Sequence, residues 1–127
     1  MPTEVQPWLA CRIMATALVA IMLSPAKGMA HAILVQSEPP SGVSLPAGRV
    51  TLSFTYNSRI DRARSRLTLM RPGHAQSVLR IDPSGLPNVI SSSTEITTPG
   101  PCVVRWQVLA VDGHITRGDV PFTVTGR

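Results

Sequence analysis

The residues best suited to metal or acid–base chemistry are one aspartate and two histidines. A single glycine separates the aspartate from one of these histidines. Asp112 and His114 are separated only by Gly113. In an extended chain, residues i and i+2 point to the same face, so the carboxylate and the imidazole can converge on one ion. If the segment is a turn instead, Gly113 lets the backbone bend. The spacing alone also fits a turn-capping aspartate beside an exposed histidine, so the role of the pair depends on a further ligand, for which His31 is the candidate.

The segment that precedes His31 has the features of a secretory signal peptide. Arg12 is followed by an uncharged, largely apolar run over residues 13–23. That run is shorter than the roughly 20 residues needed to cross a hydrocarbon core. Small residues, Gly28 and Ala30, then occupy the −3 and −1 positions of a cleavage site. Residues 1–30 are therefore predicted to be a signal peptide for export to the periplasm. The alternative is an uncleaved membrane anchor, which the short apolar run disfavours.

Two cleavage sites compete, and they give His31 different chemistry. A cut after Ala30 makes His31 the first residue, whereas a cut after Ala32 removes it, and the sequence leaves both open. A terminal His31 could chelate one metal through its α-amine and its Nδ1. With an imidazole nitrogen of His114 and an oxygen of Asp112, the set has three nitrogens and one oxygen. Such a set suits Cu(II), or Ni(II) with lower affinity. The amine, with an ordinary pKa of about 7.7–8.0, must lose its proton first, so affinity should fall in acid.

The composition of residues 31–127 suits one small, basic domain without a disulfide. The whole chain has a formal net charge of +5. Cys102 is the only cysteine after the predicted signal peptide, so no intramolecular disulfide can form there. Cys102 is interpreted as a small buried apolar residue rather than a soft metal ligand.

Clustered arginines raise the question of nucleic-acid binding. Export argues against it, and no aromatic residues that could stack on bases are interleaved with the arginines. The cluster is interpreted as a solvated loop and strand face. No nucleic-acid partner is expected. Its members are Arg59, Arg62, Arg64, Arg66 and Arg71.

Alternation of apolar and polar residues predicts an all-β domain. The strongest strands are "RVTLSFTY", "CVVRWQVLA" and "DVPFTVT", and Trp106 of the second is expected to point into the core. Turn signals rich in proline and glycine separate the strands. The pattern predicts a seven-stranded, immunoglobulin-like Greek-key β-sandwich or barrel. The four weaker strands are Ala32–Gln36, Ser65–Met70, Gln76–Ile81 and Ser92–Thr97.

The sequence resembles the CopC family of periplasmic copper-binding, copper-resistance proteins. The resemblance is carried by "HAILVQSEPPSG", by "LSFTYN", by "WQVLAVDGHITRG" and by the closing "FTV" strand, and it covers residues 31–127. It implies a seven-stranded Greek-key domain with a Cu(II) site at one end. The ligands it implies are His31, Asp112 and His114.

The sequence departs from the family pattern in two places. Tyr56 stands where some members have a glutamate near the Cu(II) site, so no carboxylate ligand is assigned there. Some members also have a methionine-rich loop for Cu(I). The corresponding stretch here offers one thioether, Met70, and His74, which is a poor set for Cu(I). Met70 is expected to pack at a strand end and His74 to lie in a turn.

Three functional hypotheses follow from the residues and the resemblance. The leading one is a periplasmic Cu(II) carrier or buffer, not an enzyme, that delivers copper to an inner-membrane transporter without inserting into the membrane after cleavage. The second is a copper-dependent oxidative enzyme with an N-terminal histidine brace. Asp112 would then damp redox cycling, and the small domain has little room for a polysaccharide substrate. The third is a metal-free immunoglobulin-like interaction module.

Overall fold

The computed structural model describes residues 31–126, which form a two-layer β-structure. The predicted signal peptide, residues 1–30, lies outside the described residues, as does Arg127. The described part contains eight strands and a 3₁₀ turn at Pro72–His74. The strands are β1 (Leu34–Glu38), β2 (Ser44–Pro46), β3 (Gly48–Tyr56), β4 (Ile60–Met70), β5 (Gln76–Leu79), β6 (Val89–Ile96), β7 (Gly100–Ala110) and β8 (Ile115–Thr125).

The strands form two sheets with orders β1-β3-β6 and β2-β8-β7-β4-β5. All paired strands are antiparallel except β2, which runs parallel to β8. The all-β sandwich predicted from the sequence is confirmed. The strand number differs because β2, only three residues long, pairs with β8 as an additional edge strand. Three residues are too few to show alternation, so the sequence did not predict it. No helix within residues 31–126 has the length and apolar character needed to cross a membrane.

The core lies between the sheets and is built by the alternation seen in the sequence. In β3 and β7 every second residue is buried, and these residues face the opposite sheet. Trp106 is 7% exposed and Cys102 1% exposed, so both predictions of inward orientation are confirmed. The aliphatic and aromatic part of this core includes Leu52, Phe54, Leu67, Leu69, Ile90, Val104, Val108, Val120 and Phe122.

Strand β4 begins five residues earlier than the sequence predicted. β4 starts at Ile60 instead of Ser65, and its register against β7 shifts between Asp61 and Arg66. The Ser65 hydroxyl stabilises this irregularity, because it donates to the Asp61 carbonyl at 2.6 Å and accepts the Leu109 amide at 3.2 Å. A bulge interrupts the two-residue period, so the pattern upstream of Ser65 was not visible.

Three chain segments meet at one end of the sandwich, which we call the hairpin end. Ile60, at the start of β4, is in register with Ala110, at the end of β7. Leu109 is in register with Ile115, at the start of β8. Tyr56, the last residue of β3, pairs with Leu34 of β1. The chain that precedes β1 therefore reaches the same end as the β7–β8 connection.

Candidate metal site

The predicted D-x-H pair lies in a tight hairpin between β7 and β8. The amide of Ala110 donates to the His114 carbonyl at 2.9 Å, and the amide of Gly113 donates to the Ala110 carbonyl at 2.9 Å. Gly113 has a φ of +90°, a conformation that favours glycine and is typical of three-residue hairpin loops. The segment is thus a turn, as the glycine allowed, rather than an extended strand.

Asp112 both caps this turn and faces the ring of His114. Its Oδ1 accepts the His114 amide at 3.0 Å, and its Oδ2 lies 3.1 Å from His114 Nδ1. The pKa of Asp112 lies below its ordinary range, first because of the hydrogen bond from the His114 amide and then because of the His114 side chain and His31. The carboxylate is therefore held ionised beside the imidazole. Asp112 can therefore cap the turn with one carboxylate oxygen while the other oxygen faces the His114 ring.

His114 has an unsatisfied ring nitrogen. Although Nδ1 is close to Asp112, the two groups are not aligned for a hydrogen bond, and Nδ1 is a buried polar atom without a hydrogen-bond partner. A buried nitrogen in this state is costly unless it finds a proton or metal partner. The side chains remain partly accessible, with 43% of His114 and 31% of Asp112 exposed to solvent. The buried nitrogen therefore lies directly beneath side-chain surface that is open to solvent.

The structure brings His31 to the same place. Its ring lies edge-on to that of His114, with centroids 4.9 Å apart and an interplanar angle of 78°. Residues that are 83 positions apart in the sequence are therefore neighbours, and the three predicted site residues, His31, Asp112 and His114, lie together at the hairpin end.

Two side chains that the sequence analysis did not single out fix the backbone next to His31. Thr116 Oγ1 donates to the carbonyl of Ala32 at 2.9 Å, and Ala32 is only 2% exposed. The backbone amide of Ile33 donates to the side-chain Oδ1 of Asn57 at 2.7 Å, and the backbone amide of Asn57 donates to the Ile33 carbonyl at 3.0 Å. We call these three bonds the terminal clamp. Asn57 stands inside the quoted "LSFTYN" motif, which was the one available signal.

The side chains alone do not form a complete metal centre. Within residues 31–126, no group of three or more His, Cys, Asp or Glu side chains is arranged so that it could hold a metal ion. In the full chain the His31 nitrogen is an amide bonded to Ala30. The donor that would complete the set is thus one that only cleavage at this bond would create.

Tyr56 is buried below this end of the sandwich instead of facing the site as a ligand. It is 1% exposed, and its ring meets Trp106 edge-on with centroids 5.3 Å apart. Burial raises the pKa of Tyr56 well above its ordinary value. Neither the Tyr56 hydroxyl nor Trp106 Nε1 has a hydrogen-bond partner. The Tyr56 side chain therefore packs against Trp106 in the core beneath the hairpin end.

Met70 and His74 lie far from the hairpin end. Met70 is the last residue of β4, and His74 ends the 3₁₀ turn with a φ of +67°, as the sequence analysis placed them. Both line a groove of about 390 Å³ that also includes Arg71, Gln76 and Val103. One thioether and one imidazole are the only soft or nitrogen donors among the residues that line it. The prediction that no Cu(I) site exists here stays a prediction.

The arginine cluster is spread over the surface. Arg64 has 76% of its side chain exposed, and its Nε lies 3.8 Å from Oδ2 of Asp61. Arg62 folds back to donate to the carbonyls of Val89 and Leu86. The other three arginines of the cluster, Arg59, Arg66 and Arg71, are also exposed.

Burial raises the pKa of the Cys102 thiol, in keeping with a core residue rather than a ligand.

Comparison with known proteins identifies the family. The family model for the CopC domain matches residues 34–125. The chain belongs to the CopC family. The matched range includes the hairpin with Asp112 and His114 and begins three residues after His31. Among curated proteins, no sequence matches the chain.

Solved structures support the CopC fold. CopC from Methylosinus trichosporium OB3b is 22% identical, with a TM-score of 0.66, and the match covers 76% of this chain and 96% of that one. PcoC, described as a methionine-rich copper resistance protein from Escherichia coli, is 20% identical with a TM-score of 0.59, covering 76% and 100%. At these identities the likeness concerns the fold.

Proposed function

We propose that residues 31–127 are a periplasmic Cu(II) carrier or buffer that acts in copper homeostasis or resistance. The observation that carries this proposal is the convergence of His31 on the Asp112–His114 hairpin, where a buried imidazole nitrogen has no partner. Membership of the CopC family and the copper-resistance relative support copper as the cargo.

The proposed ligands are the α-amine and Nδ1 of His31, one ring nitrogen of His114 and an oxygen of Asp112. Three nitrogens and one oxygen suit Cu(II). The ionised state of Asp112 and the unsatisfied His114 nitrogen favour cation binding at the hairpin. The amine becomes available only when the bond between Ala30 and His31 is cut.

Burial of Ala32 favours cleavage after Ala30 over cleavage after Ala32. Ala32 is 2% exposed, and its carbonyl accepts the Thr116 hydroxyl bond. A cut after Ala32 would remove a buried methyl group and one bond of the terminal clamp, in addition to His31. A cut after Ala30 leaves every residue from Ala32 onward in its place. Residues 1–30 are accordingly proposed to be the signal peptide.

A carrier role fits the accessibility of the site. Since His114 and Asp112 are partly exposed, a bound ion would lie near the surface, where a partner could remove it. We infer that an inner-membrane copper transporter is that partner, and that the protein has no enzymatic activity of its own. An oxidative enzyme would instead consume oxygen when copper and a reductant are supplied.

The test is to purify the exported protein, sequence its N-terminus and titrate it with Cu(II). We expect the sequence to begin at His31 and Cu(II) to bind with one equivalent per chain. His114→Ala should weaken Cu(II) binding strongly. His74→Ala also removes one imidazole, but from the groove beside Met70, and should have little effect. A mature protein that begins at Ile33 and binds copper weakly, or equal losses in the two variants, would overturn the proposal. Oxygen uptake with a reductant would favour the enzyme.

A further inference from the structure

A groove separate from the proposed copper ligands lies on the outer face of the three-stranded sheet. It has a volume of about 440 Å³ and lies between β3, β6 and the segment that follows β5. Arg49, on its far side, is seven residues along β3 from Tyr56, roughly 23 Å at 3.3 Å per residue, and Ser91, on its near side, is in register with Ser53, roughly 10 Å along β3 from Tyr56. Its lining is Arg49, Thr51, Arg80, Asp82, Pro83, Ser91, Ser92 and Ser93.

The floor of the groove is a set of hydroxyl groups. Thr51 of β3 is in register with Ser93 of β6, and both point outward, opposite to the buried residues of their strands. Ser91 lies two residues from Ser93 and shares its face. Hydroxyl groups donate to and accept from a polar ligand with equal ease. A sheet face of this composition offers several donors close together.

Two arginines flank these hydroxyls. Arg49 is positioned over the floor, because its Nη1 donates to Ser93 Oγ at 3.2 Å, although Glu95 is its partner in register. Arg80 lies on the other side, and its backbone is fixed by Ser92, whose buried hydroxyl donates to the Arg80 carbonyl at 2.6 Å. The Asp82 amide donates to the Ser91 carbonyl at 2.8 Å and ties the same segment to β6.

The one carboxylate in the lining is already engaged. Asp82 Oδ1 accepts the amide and the hydroxyl of Ser84 at 3.0 and 2.8 Å. The guanidinium groups near it, Arg62 and Arg80, compensate its charge. The lining therefore carries two cations, one committed anion and several free hydroxyls. This is the chemistry that recognises a tetrahedral oxyanion, because guanidinium groups donate in pairs to phosphate oxygens.

We propose that the groove between Arg49 and Arg80 binds a phosphate group, with the hydroxyls of Thr51, Ser91 and Ser93 as additional donors. The phosphate is either free in solution or the exposed head of an anionic lipid. Because the lining of the groove includes none of the proposed copper ligands, this inference is independent of the proposed copper function.

The experiment titrates the copper-free protein with inorganic phosphate at constant ionic strength and follows backbone and arginine side-chain nitrogen signals by NMR. We expect saturable shifts at Arg49, Arg80, Ser91 and Ser93. The double variant Arg49→Gln/Arg80→Gln should weaken binding by about tenfold or more, as expected for lost charge-assisted hydrogen bonds. Ser91→Ala, which leaves the charge unchanged, should weaken it less.

The matched control removes two exposed arginines from the five-stranded sheet, Arg66→Gln/Arg117→Gln, and should leave the titration unchanged. A second arm measures co-sedimentation with phosphatidylcholine vesicles with and without phosphatidic acid. Vesicle binding that requires Arg49 and Arg80 assigns the phosphate to a lipid, and phosphate binding without vesicle binding assigns it to a soluble ligand. Equal losses in the two double variants, or no saturable binding in either arm, overturn the proposal.

Discussion

At the scale of single residues, the proposed site depends on atoms that are not ligands. The terminal clamp fixes Ala32 and Ile33, and thereby places the preceding residue, His31, beside His114. Groups that orient a ligand affect metal affinity nearly as much as the ligand itself. Thr116 and Asn57 are therefore positioning residues in the proposed carrier.

Thr116→Val should lower Cu(II) affinity by about tenfold, while the lost hydrogen bond costs about 1 kcal/mol of stability. The reason is that the Ala32 carbonyl loses its partner and His31 is no longer held against His114. Affinity is measured by competition titration and stability by urea unfolding.

The matched control is Thr125→Val at the opposite end of β8. Thr125 Oγ1 also donates to a backbone carbonyl, that of Leu45, at 3.2 Å. This variant should lose a similar amount of stability and bind copper normally. If the two variants bind Cu(II) equally well, the clamp has no positioning role.

At the scale of secondary-structure elements, the position of Trp106 on β7 depends on one glycine of the neighbouring strand β8. Gly118 is in register with Trp106, and a Cβ at position 118 would lie 2.6 Å from Trp106 Cε2 and 2.9 Å from Nε1. Only a residue without a side chain leaves room for the indole at this position of β8. The proposed metal ligand His114 is four residues before this contact, on the same pair of strands.

Gly118→Ala should destabilise the protein by about 1–3 kcal/mol, the range for overpacked core positions. The added methyl group would displace the Trp106 ring and, with it, Tyr56. A lower thermal midpoint and a changed near-ultraviolet circular dichroism signal of Trp106 are the expected readouts. Gly126→Ala, where the new methyl meets nothing within 4 Å, should be close to neutral. Unchanged stability of Gly118→Ala would contradict this account of the packing.

The same strands carry a surface ion pair that makes stability pH-dependent. Arg105 Nε and Nη2 donate to the two carboxylate oxygens of Asp119 at 2.9 and 3.1 Å. These bonds hold the pKa of Asp119 below its ordinary range. A lowered folded-state pKa contributes stability above the unfolded value, about 3.9, and loses it as the pH falls through the folded value.

We therefore expect Asp119→Asn to be less stable than the wild type at pH 7, and the difference to shrink as the pH falls below about 4. Urea unfolding at several pH values measures it. The difference in stability between the wild type and Arg105→Gln should also shrink as the pH falls, because this variant removes the guanidinium partner of Asp119. A difference that stays constant from neutral to strongly acidic pH would show that the ion pair contributes nothing.

The sequence was informative about strands and less so about their ends. Alternation in β3 and β7 predicted the buried face correctly, including Trp106 and Cys102. The start of β4 was missed because a bulge breaks the two-residue period, and β2 because it is too short to show one. Periodicity reports which face is buried, but strand ends depend on contacts with residues distant in the chain.

The same limit applies to the site. The D-x-H spacing showed that Asp112 and His114 could share an ion, and Gly113 indicated the turn. The approach of His31 is a contact across most of the chain and follows from no local pattern; the ligand chemistry of a terminal histidine and the resemblance to CopC proteins suggested it. Thr116 was missed because a threonine in a strand is ordinary until its partner, the Ala32 carbonyl, is known.

At the scale of the whole molecule, the proposed function separates two forms of one chain. In the full chain, His31 is linked to Ala30, and the structure from Ala32 onward is already fixed by burial and by the terminal clamp. Cleavage after Ala30 would change one atom's chemistry, from amide to amine, without changing the fold. Copper binding would thus be restricted to the processed protein.

This separation predicts the behaviour of a processed protein whose α-amine at His31 is blocked by an acetyl group. We expect its copper-free thermal midpoint to match that of the protein beginning at His31, because the first buried residue, Ala32, is unaffected. Its Cu(II) affinity should fall by more than that of Thr116→Val, since the chelate between the amine and Nδ1 of His31 is lost. Stabilisation by a given excess of Cu(II) should fall accordingly, because a ligand that binds only the folded state stabilises it by mass action. The pH dependence supplies the sharper readout: the affinity of the unmodified protein should decline below about pH 8 as its amine takes up a proton, and the acetylated protein should lack that step. If the two proteins bind copper equally and with the same pH profile, the terminal amine is not a ligand, and any copper held at the hairpin end is bound by side chains alone.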